Sequence, residues 1–331
     1  MRDKIAGALF GMALGDAMGM PAELWGRKRV KAFFGRIEGF LDGPAENDVA
    51  FNYKKGQFTD DTGQALVLLD SIASTDYEPD TRDIALRMLA WAEKENAFEN
   101  NILGPTSKVA LANFRDNIQD SRITDKALSN GSAMRIAPIG CLFRPEQKED
   151  IARYVYQVSR ATHTSDVTIA GAAMIAEAVS SAMVKDGFDE VMEDVFGIEE
   201  IGYGMGCETF SPRLGERLRI GLDIARSYKG DDEGFIHKLY DVVGTGVGII
   251  ESVPAALSVA YYAQDPNLSC LLCANMAGDT DTIGAMATAV CGAFTGMGRI
   301  KQEYIRTLRQ QNDADFDHYI CILEKGRERF A

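Results

Sequence analysis

Apolar residues recur every three or four positions along most of the chain, the spacing that places them on one face of an α-helix. The predicted helical segments are "IAGALFGMALGDAMG", "QALVLLDSIAS", "TRDIALRMLAWAEKE", "KEDIARYVYQVSRAT", "SDVTIAGAAMIAEAVSSAMVKDG", "SPRLGERLRIGLDIARSYKG", "EGFIHKLYDVVGTG", "SVPAALSVAYYA", "LSCLLCANMAG", "TIGAMATAVCGAFTGMG" and "IKQEYIRTLRQQ". Strict alternation of apolar and polar residues, typical of half-buried strands, is scarce. The pattern therefore predicts an all-α protein.

Three stretches lack this spacing and are predicted to be irregular: 20–58, 98–137 and 197–212. The chain contains no long linker, low-complexity tract or short repeat that would separate domains. Small residues are dense around 166–182 and 283–298, which predicts helices buried on all sides. We expect residues 1–331 to form a single domain with a densely packed centre.

The first predicted helix has glycine at every fourth position, at Gly7, Gly11, Gly15 and Gly19. On a helix these glycines form a bare ridge along which another backbone can approach closely. Each glycine in a helix costs about 1 kcal/mol relative to alanine, so close packing or ligand approach must compensate.

Composition excludes one class of partner. The chain has 331 residues, of which 46% are hydrophobic and 25% charged, an ordinary balance for a globular protein with a large core. Its formal net charge of −14 repels phosphate backbones, so we expect no nucleic-acid partner. An anionic ligand would need local hydrogen-bond donors instead of a general positive field.

Targeting and redox signals are weak. Of six cysteines only Cys270 and Cys273 lie close together, and their surroundings indicate a helix interior instead of a zinc or redox site. The amino-terminal segment carries Asp3, Lys4 and Asp16 and lacks the layout of a signal peptide. No run reaches the length of a membrane span. We expect a cytoplasmic protein without a membrane partner.

Two clusters of Asp and Thr precede apolar helical segments. "FTDDTG" at 58–63 stands before "QALVLLDSI", and "AGDTDTIG" at 277–284 stands before "AMATAVCGAF". Each cluster therefore lies where a loop enters a helix. One interpretation is helix capping, because Asp and Thr at a helix start accept backbone N–H groups. A cap needs one such residue, whereas each cluster supplies four.

The alternative is that the two clusters form one site. Successive helical residues are about 100° apart, so Asp279 and Asp281 converge only if the backbone there is not yet helical. If the clusters meet, they bring together the carboxylates of Asp60, Asp61, Asp279 and Asp281. Their repulsion would be relieved by protons or by two divalent cations, to which Thr59 and Thr282 could add neutral oxygen ligands.

Ligands that offer only oxygen favour hard cations, Mg²⁺ or Mn²⁺ first and Ca²⁺ next, and disfavour Zn²⁺. Two such ions can hold and activate a water while they orient the hydroxyl groups of a substrate.

At these motifs the sequence resembles the ADP-ribosylglycohydrolase family, which includes the hydrolase that removes ADP-ribose from dinitrogenase reductase. The resemblance runs in order through "GALFGMALGDAMGMPAE", "FTDDTGQAL", "LSNGSAMRIAPIG", "ATHTSD", "SVPAALSVAYY" and "NMAGDTDTIGAMATAVCGA". It implies an all-α orthogonal helical bundle with a binuclear Mg²⁺ or Mn²⁺ centre that binds the distal ribose. Hydrolysis at the anomeric carbon would pass through an oxocarbenium-like state stabilised by carboxylates.

The resemblance also assigns roles to residues. The implied metal ligands are Thr59, Asp60 and Asp61 on one side and Asp279, Asp281 and Thr282 on the other, with Asp281 bridging. The implied catalytic residues are Asp60, Asp281 and Glu23. Glu23, in "GMPAELW", matches a family acid next to the metal pocket, where it would be a base, a gate or a substrate holder. The alternative interpretation of Glu23 is an ordinary surface acid.

The segment "SNGSAMR" at 129–135 could bind a diphosphate. Ser and Asn start turns, glycine allows close approach, and successive N–H groups can cradle an anion. The resemblance favours Asn130, Gly131 and Ser132 as substrate contacts over an ordinary turn. Arg135 could supply the positive charge that the acidic surface lacks.

His163 lies in "ATHTSD", at a predicted helix start. An isolated histidine is usually structural, but the family carries a histidine at this motif near the pyrophosphate and ribose. We therefore favour a substrate contact over a metal ligand.

These observations predict a metal-dependent hydrolase that releases ADP-ribose from a modified protein or a small ADP-ribosyl substrate. An N-glycosidic bond to an arginine-type guanidinium is favoured, and O-linked substrates stay open. One alternative is a hydrolase of a smaller nucleoside or ribosyl glycoside. Another is an inactive relative that only binds ADP-ribose or has a structural role.

Overall fold

The computed structural model describes residues 1–100 and 102–330, and within them it confirms the all-α prediction. The described residues form no strand, and backbone pairing outside helices is limited to isolated bridges. The α-helices are α1 (Arg2–Gly19), α2 (Arg27–Phe34), α3 (Asp60–Ser74), α4 (Thr81–Lys94), α5 (Pro105–Arg115), α6 (Arg122–Asp125), α7 (Ala137–Gly140), α8 (Lys148–Ser159), α9 (Asp166–Ala182), α10 (Phe188–Tyr203), α11 (Leu214–Ser227), α12 (Asp232–Val242), α13 (Ile249–Ala263), α14 (Pro266–Met276), α15 (Thr280–Thr295), α16 (Gln302–Gln311) and α17 (Phe316–Phe330).

Helices α1 and α15 pack with their backbones in direct contact. A Cβ atom at Gly15 would lie 1.9 Å from the carbonyl oxygen of Gly284, and one at Gly19 would lie 2.2 Å from that of Thr280. The Thr280 hydroxyl also donates to the Gly19 carbonyl at 2.7 Å. The predicted ridge is confirmed, and it aligns the end of α1 with the start of α15.

Further helices enclose this pair. Every residue of α9 is buried, as the density of small residues predicted. In α15 burial is continuous from Thr280 to Ala293 and then ends, so the predicted all-round burial of 283–298 holds for most of that segment.

Helix α1 together with the short helical turn that follows it, Arg2–Ala22, is long and apolar enough to cross a membrane by length and composition. The prediction that no run reaches this length is therefore wrong. Its apolar window is entirely buried inside the protein, so here it serves as a central packing helix.

Several helices lie where irregular structure was predicted. Helix α2 falls within 20–58, because its sequence is too polar to show a stripe and buries only Val30. Helices α5 and α6 fall within 98–137, and the short α7 begins at the last residue of that stretch. Helix α10, which was not among the predicted helices, extends into 197–212 as far as Tyr203. Helix α17 was also missed, although Phe316, Ile320 and Leu323 place a buried face on it.

Candidate active site

The two acid–threonine clusters lie together, at the adjoining starts of α3 and α15. The Thr282 hydroxyl is 3.2 Å from both carboxylate oxygens of Asp61. The Thr59 hydroxyl is 3.4 Å from Asp61 Oδ2. Segments more than two hundred residues apart in sequence therefore contribute to one buried group of oxygen atoms.

Capping does not account for these side chains. Thr59 and Asp279 occupy the N-cap positions of α3 and α15 in non-helical conformations, yet neither side chain accepts a hydrogen bond from its helix. Asp281 accepts the N–H of its neighbour Thr282, at 2.9 Å. By contrast, Asp80 caps α4 by accepting two backbone N–H groups. Helix capping therefore does not explain why the cluster side chains are gathered here.

Asp16 on α1 caps α3 instead, a role that the sequence analysis missed. Its Oδ1 accepts the Thr59 N–H at 2.8 Å, and its Oδ2 accepts the N–H and the hydroxyl of Thr62 at 3.0 and 2.6 Å. Asp16 is fully buried. A residue from the central helix thus holds the turn that carries three of the predicted metal ligands.

Glu23 joins the cluster from the turn after α1. One carboxylate oxygen each of Glu23, Asp279 and Asp281 lie within 4.8 Å of one another, a spacing that could hold a metal ion. Asn47 holds the Glu23 backbone by donating to its carbonyl at 3.0 Å. Glu23 is half-buried whereas both aspartates are buried, so it borders the open side of the site.

The carboxylates of the cluster need a positive charge beside them to stay ionised. Burial raises the pKa of Asp60 to about 7 and that of Asp279 to about 6, and Asp16 adds to the shift of Asp60. Burial and the neighbouring carboxylates also raise the pKa values of Asp61, Asp281 and Glu23 well above their ordinary range. Carboxylates crowded out of water are stable only if they bind protons or cations.

The buried guanidinium of Arg135 supplies one positive charge from behind the cluster. It donates to Gln64 Oε1 and to the Thr162 hydroxyl, each at 2.6 Å, and Gln64 in turn donates to Asp60 Oδ2 at 2.9 Å. Burial lowers the pKa of Arg135 to about 10. The guanidinium faces Gln64 and Thr162, so it supports the site internally.

The donor set fits a hard divalent cation. Counting Asp16 and Glu23, six carboxylates surround the site, and Arg135 offsets one charge. The remaining donors are threonine hydroxyls, and oxygen-only donors suit Mg²⁺, Mn²⁺ or Ca²⁺.

The predicted substrate residues of the "SNGSAMR" turn border this cluster. Asn130 Nδ2 donates to Asp279 Oδ2 at 2.6 Å, and the Asn130 N–H donates to the Val247 carbonyl at 3.1 Å. The Ser132 hydroxyl is engaged with the Thr168 carbonyl at 3.0 Å. Within residues 1–100 and 102–330, the N–H groups of Gly131 and Ser132 donate to no protein acceptor. The turn therefore offers backbone donors to a ligand.

His163 lies directly beneath this turn and is fully buried. Its Nδ1 is 2.8 Å from the Thr162 hydroxyl and its Nε2 is 3.1 Å from the Ser129 hydroxyl. The Ser129 hydroxyl donates to Thr106 Oγ1 at 3.1 Å and so can accept from the ring, and we therefore assign the ring proton to Nε2. Burial, followed by Arg135, lowers the His163 pKa to about 3, so the ring is neutral at pH 7. Direct contact with substrate stays a prediction.

Gly131 has a steric reason to be glycine. A Cβ atom there would lie 2.8 Å from Cε1 of His163. The close approach lets the turn rest on the histidine ring.

Comparison with known proteins agrees with this geometry. Residues 1–327 match the family described as ADP-ribosylglycohydrolase. The chain is 43% identical to the uncharacterised protein YegU of Escherichia coli (strain K12), over 99% of this chain and 98% of that one. It is 24% identical to the human ADP-ribosylhydrolase ARH3, over 94% and 91% of the two chains. It is 26% identical to the ADP-ribosylarginine hydrolase Tri1 of Pseudomonas putida (strain GB-1), over 92% and 73%.

A solved structure described as an ADP-ribosylglycohydrolase-related protein complex has the same fold. It superposes with a TM-score of 0.73 at 22% sequence identity and covers 98% of each chain. The family match and the hydrolases among the relatives identify the chain as a glycosidic hydrolase. The chain belongs to the ADP-ribosylglycohydrolase family.

Proposed function

We propose that this enzyme hydrolyses the N-glycosidic bond between ADP-ribose and an arginine guanidinium, with two Mg²⁺ or Mn²⁺ ions bound. Family membership supports the ADP-ribosyl group, and the similarity to an ADP-ribosylarginine hydrolase supports the arginine linkage. The observation that carries the proposal is the junction of a buried acidic cluster with the free N–H groups of the Gly131–Ser132 turn.

In this proposal the two acid–threonine clusters hold the metal ions from opposite sides. The ligands would be Thr59, Asp60, Asp61, Asp279, Asp281 and Thr282. Two divalent ions together with Arg135 would balance all but one of the six carboxylate charges. Such ions, when present, would orient the ribose hydroxyls and lower the pKa of a water molecule.

The protein's own residues would bind the rest of the substrate. The N–H groups of Gly131 and Ser132 would receive the diphosphate, the kind of anion that successive backbone donors hold. Beside them Leu128 and Val247 are 45% and 50% exposed and provide an apolar rim on which a base can rest. The Ser129–Gly248 bridge keeps the two segments adjacent.

Glu23 would contact the reacting ribose. Of the three residues whose carboxylates lie within 4.8 Å of one another, Glu23 is half-buried and the two aspartates are buried. Glu23 therefore faces the side from which a substrate enters.

A substrate panel tests this function. The purified enzyme is treated with EDTA and then supplied with Mg²⁺, Mn²⁺ or Ca²⁺. The substrates are ADP-ribosyl-arginine, ADP-ribosyl-serine, O-acetyl-ADP-ribose and plain nucleosides. We expect free ADP-ribose from ADP-ribosyl-arginine with Mg²⁺ or Mn²⁺, and none after chelation.

Each alternative gives a different result. Turnover undiminished in EDTA would exclude the metal mechanism. Release from the serine or acetyl substrate alone would exclude the arginine linkage, and release of a base from nucleosides alone would indicate a smaller substrate. Binding of ADP-ribose without turnover of any substrate would indicate an inactive relative.

A further inference from the structure

A cavity of about 520 Å³ borders the acidic site on its α3 side. Its walls come from the loop before α3, one face of α3, the end of α4 and the segment around the end of α16. This volume is within the range of about 300–1,000 Å³ that small-molecule sites occupy. Of the six predicted metal ligands, Thr59 lines the cavity and the carboxylates do not.

The cavity and the acidic site meet at Thr59, which lines the cavity and lies 3.4 Å from Asp61. The Thr59 carbonyl accepts the N–H of Gly63 one turn later, and Gly63 also lines the cavity. Tyr53, on the loop before α3, lines the cavity as well. A group attached to a sugar in the site can therefore extend into the cavity.

The walls of the cavity are aromatic. The Trp91 ring lies across Gly63, since a Cβ atom there would be 3.1 Å from Nε1 and 3.4 Å from two ring carbons. Phe51, Phe58 and Tyr319 add further rings. Flat guanidinium groups stack on such faces more readily than a compact ammonium does.

Acidic groups outnumber basic ones along the same walls. Asp70, Glu95 and Asp313 line the cavity, and Lys94 is the one cation among the lining residues. The Lys94 ammonium lies 3.9 Å from Glu95, so it offsets that residue first. Asp70 accepts the Tyr319 hydroxyl at 3.2 Å and keeps its other oxygen for a further donor. The cavity favours a cation.

We propose that this cavity binds the arginine side chain of the substrate and releases it as the leaving group. The inference rests on the proposed function and adds the place and chemistry of the acceptor site. A planar cation fits aromatic walls that also carry the carboxylates of Asp70 and Asp313. A neutral acceptor such as serine would gain little from them.

The carboxylates of the cavity wall suit the chemistry of a guanidinium leaving group. Water adds its oxygen to the anomeric carbon, the carbon–nitrogen bond breaks, and one water proton ends on the departing guanidine nitrogen. The products are ADP-ribose and arginine, and the freed guanidinium is fully charged at neutral pH because its pKa exceeds about 12. The guanidinium carries one positive charge both in ADP-ribosyl-arginine and in the released arginine, so carboxylates at the cavity wall bind it before and after the carbon–nitrogen bond breaks.

A binding experiment tests the cavity without catalysis. N-acetyl-arginine methyl ester carries one positive charge, and N-acetyl-citrulline methyl ester is its neutral counterpart. The chain has two tryptophans, and Trp91 lines the cavity whereas Trp25 is only 4% exposed. We expect the arginine ester, and not the citrulline ester, to protect Trp91 fluorescence from acrylamide in a saturable manner.

Two variants and a matched control locate the effect. Asp70→Asn combined with Asp313→Asn should weaken protection by the arginine ester about threefold or more, because two negative charges are lost from the cavity wall. Val67→Phe should abolish it by filling the cavity. Asp186→Asn combined with Glu190→Gln removes the same charge from the exposed segment near the start of α10 and should change nothing.

The same variants are then assayed for turnover. The acid variant should lower kcat/KM for ADP-ribosyl-arginine about tenfold and leave the affinity for free ADP-ribose unchanged. Normal turnover and unaltered protection in both cavity variants would overturn the cavity assignment and leave the proposed function standing. Saturable protection without turnover of any ADP-ribosyl substrate would overturn the proposed function, and with it the leaving-group role of the cavity.

Discussion

At the scale of single residues, Asp16 shows how one buried carboxylate organises others. It accepts three hydrogen bonds from Thr59 and Thr62, and in doing so it replaces the side-chain cap that α3 lacks. The side chains of Thr59, Asp60 and Asp61 are left free for a metal. The negative charge of Asp16 repels the other carboxylates of the site, but its hydrogen bonds hold the turn at the start of α3 in place.

Replacing Asp16 with asparagine tests this role. In asparagine an NH₂ group can take the place of the oxygen that accepts the Thr62 N–H, and two donors would then face each other. The turn should therefore shift, and metal affinity should fall about tenfold or more. Calorimetric titration with Mn²⁺ measures that affinity directly. Asp3→Asn on the same helix is the control, because Asp3 contacts Gly298 and lies far from the site along α1. Unchanged Mn²⁺ affinity in Asp16→Asn would rule out a positioning role.

Glu177 is a second buried acid, remote from the active site in the middle of α9. Lys148 Nζ lies 3.1 Å from its Oε1, yet neither carboxylate oxygen accepts a well-formed hydrogen bond. Lys148 also pairs with Asp194 at 2.9 Å, so its charge is shared. Burial consequently outweighs the ion pair and raises the pKa of Glu177 to about 8.

This shift predicts a pH dependence of stability. The folded protein keeps the Glu177 proton up to about pH 8 whereas the unfolded chain releases it near 4.5, so stability falls as pH rises between these values. Glu177→Gln cannot release a proton. The Tm of this variant should therefore be equal to or slightly below that of the wild type at about pH 5. As the pH rises towards about 8.5, the Tm of the variant should exceed that of the wild type by a growing margin.

Thermal unfolding at several pH values measures this difference. The control is Glu193→Gln on α10, where the side chain is exposed. A Tm difference that stays constant across the pH range would show that Glu177 is ionised in the folded protein.

The acid–threonine clusters were predictable from sequence because their composition exceeds what capping needs. The chain from Asp60 through Gln64, Arg135 and Thr162 to His163 was not. Its members are scattered along the sequence and become neighbours only when α3 packs near the "SNGSAMR" turn. Arg135 illustrates the difficulty, since a cation in a turn motif looks like a ligand for phosphate until its burial is known.

At the scale of helices, the contact between α1 and α15 sets the register of the site. Gly15 is the tightest point of the ridge, because an added Cβ would lie 1.9 Å from the carbonyl oxygen of Gly284, a shorter distance than at the other three glycines. Asp16 follows Gly15 directly, and α15 begins about one helical turn before Gly284.

Gly15→Ala should therefore destabilise the protein by about 3 kcal/mol and lower metal affinity by displacing the two helices. Gly104→Ala is the matched control, since no atom lies within 4 Å of the added Cβ. Chemical denaturation of both variants measures the difference. Equal stability of the two would mean that α1 and α15 separate easily.

Sequence periodicity predicted most of the helices whose apolar stripe faces the core, but it missed α10 and α17, which have such a stripe, and α2, which is held by other means. Helix α2 has one buried residue and stacks Arg27 on Tyr240 and Arg29 on Trp25. Helix α10 is acidic and contains glycines, and it packs through Gly202 against the backbone of Ala170. Neither contact has a local signature in the sequence.

At the scale of the whole molecule, the acidic cluster makes stability depend on metal. Mutual repulsion destabilises the folded protein without ions, and an ion that binds only the folded protein stabilises it by about 2.7 kcal/mol at one hundred times its Kd. We expect Mg²⁺ or Mn²⁺ to raise Tm by several degrees and EDTA to reverse the rise.

A variant pair identifies the site responsible. Asp281→Asn should abolish the metal-dependent rise in Tm, while Asp313→Asn, an exposed residue at the cavity rim, should keep it. A rise retained in Asp281→Asn would place the stabilising ions elsewhere.

The distance in sequence between the two halves of the site also matters during synthesis. A ribosome makes the α3 half long before the α15 half, and α1 must wait for its partner helix with an apolar surface uncovered. No nascent chain can hydrolyse substrate until almost all of the protein has emerged. Because of this separation, the protein can be produced as two fragments, one carrying the start of α3 and the other the start of α15. Recovery of catalysis would then report that the two fragments associate.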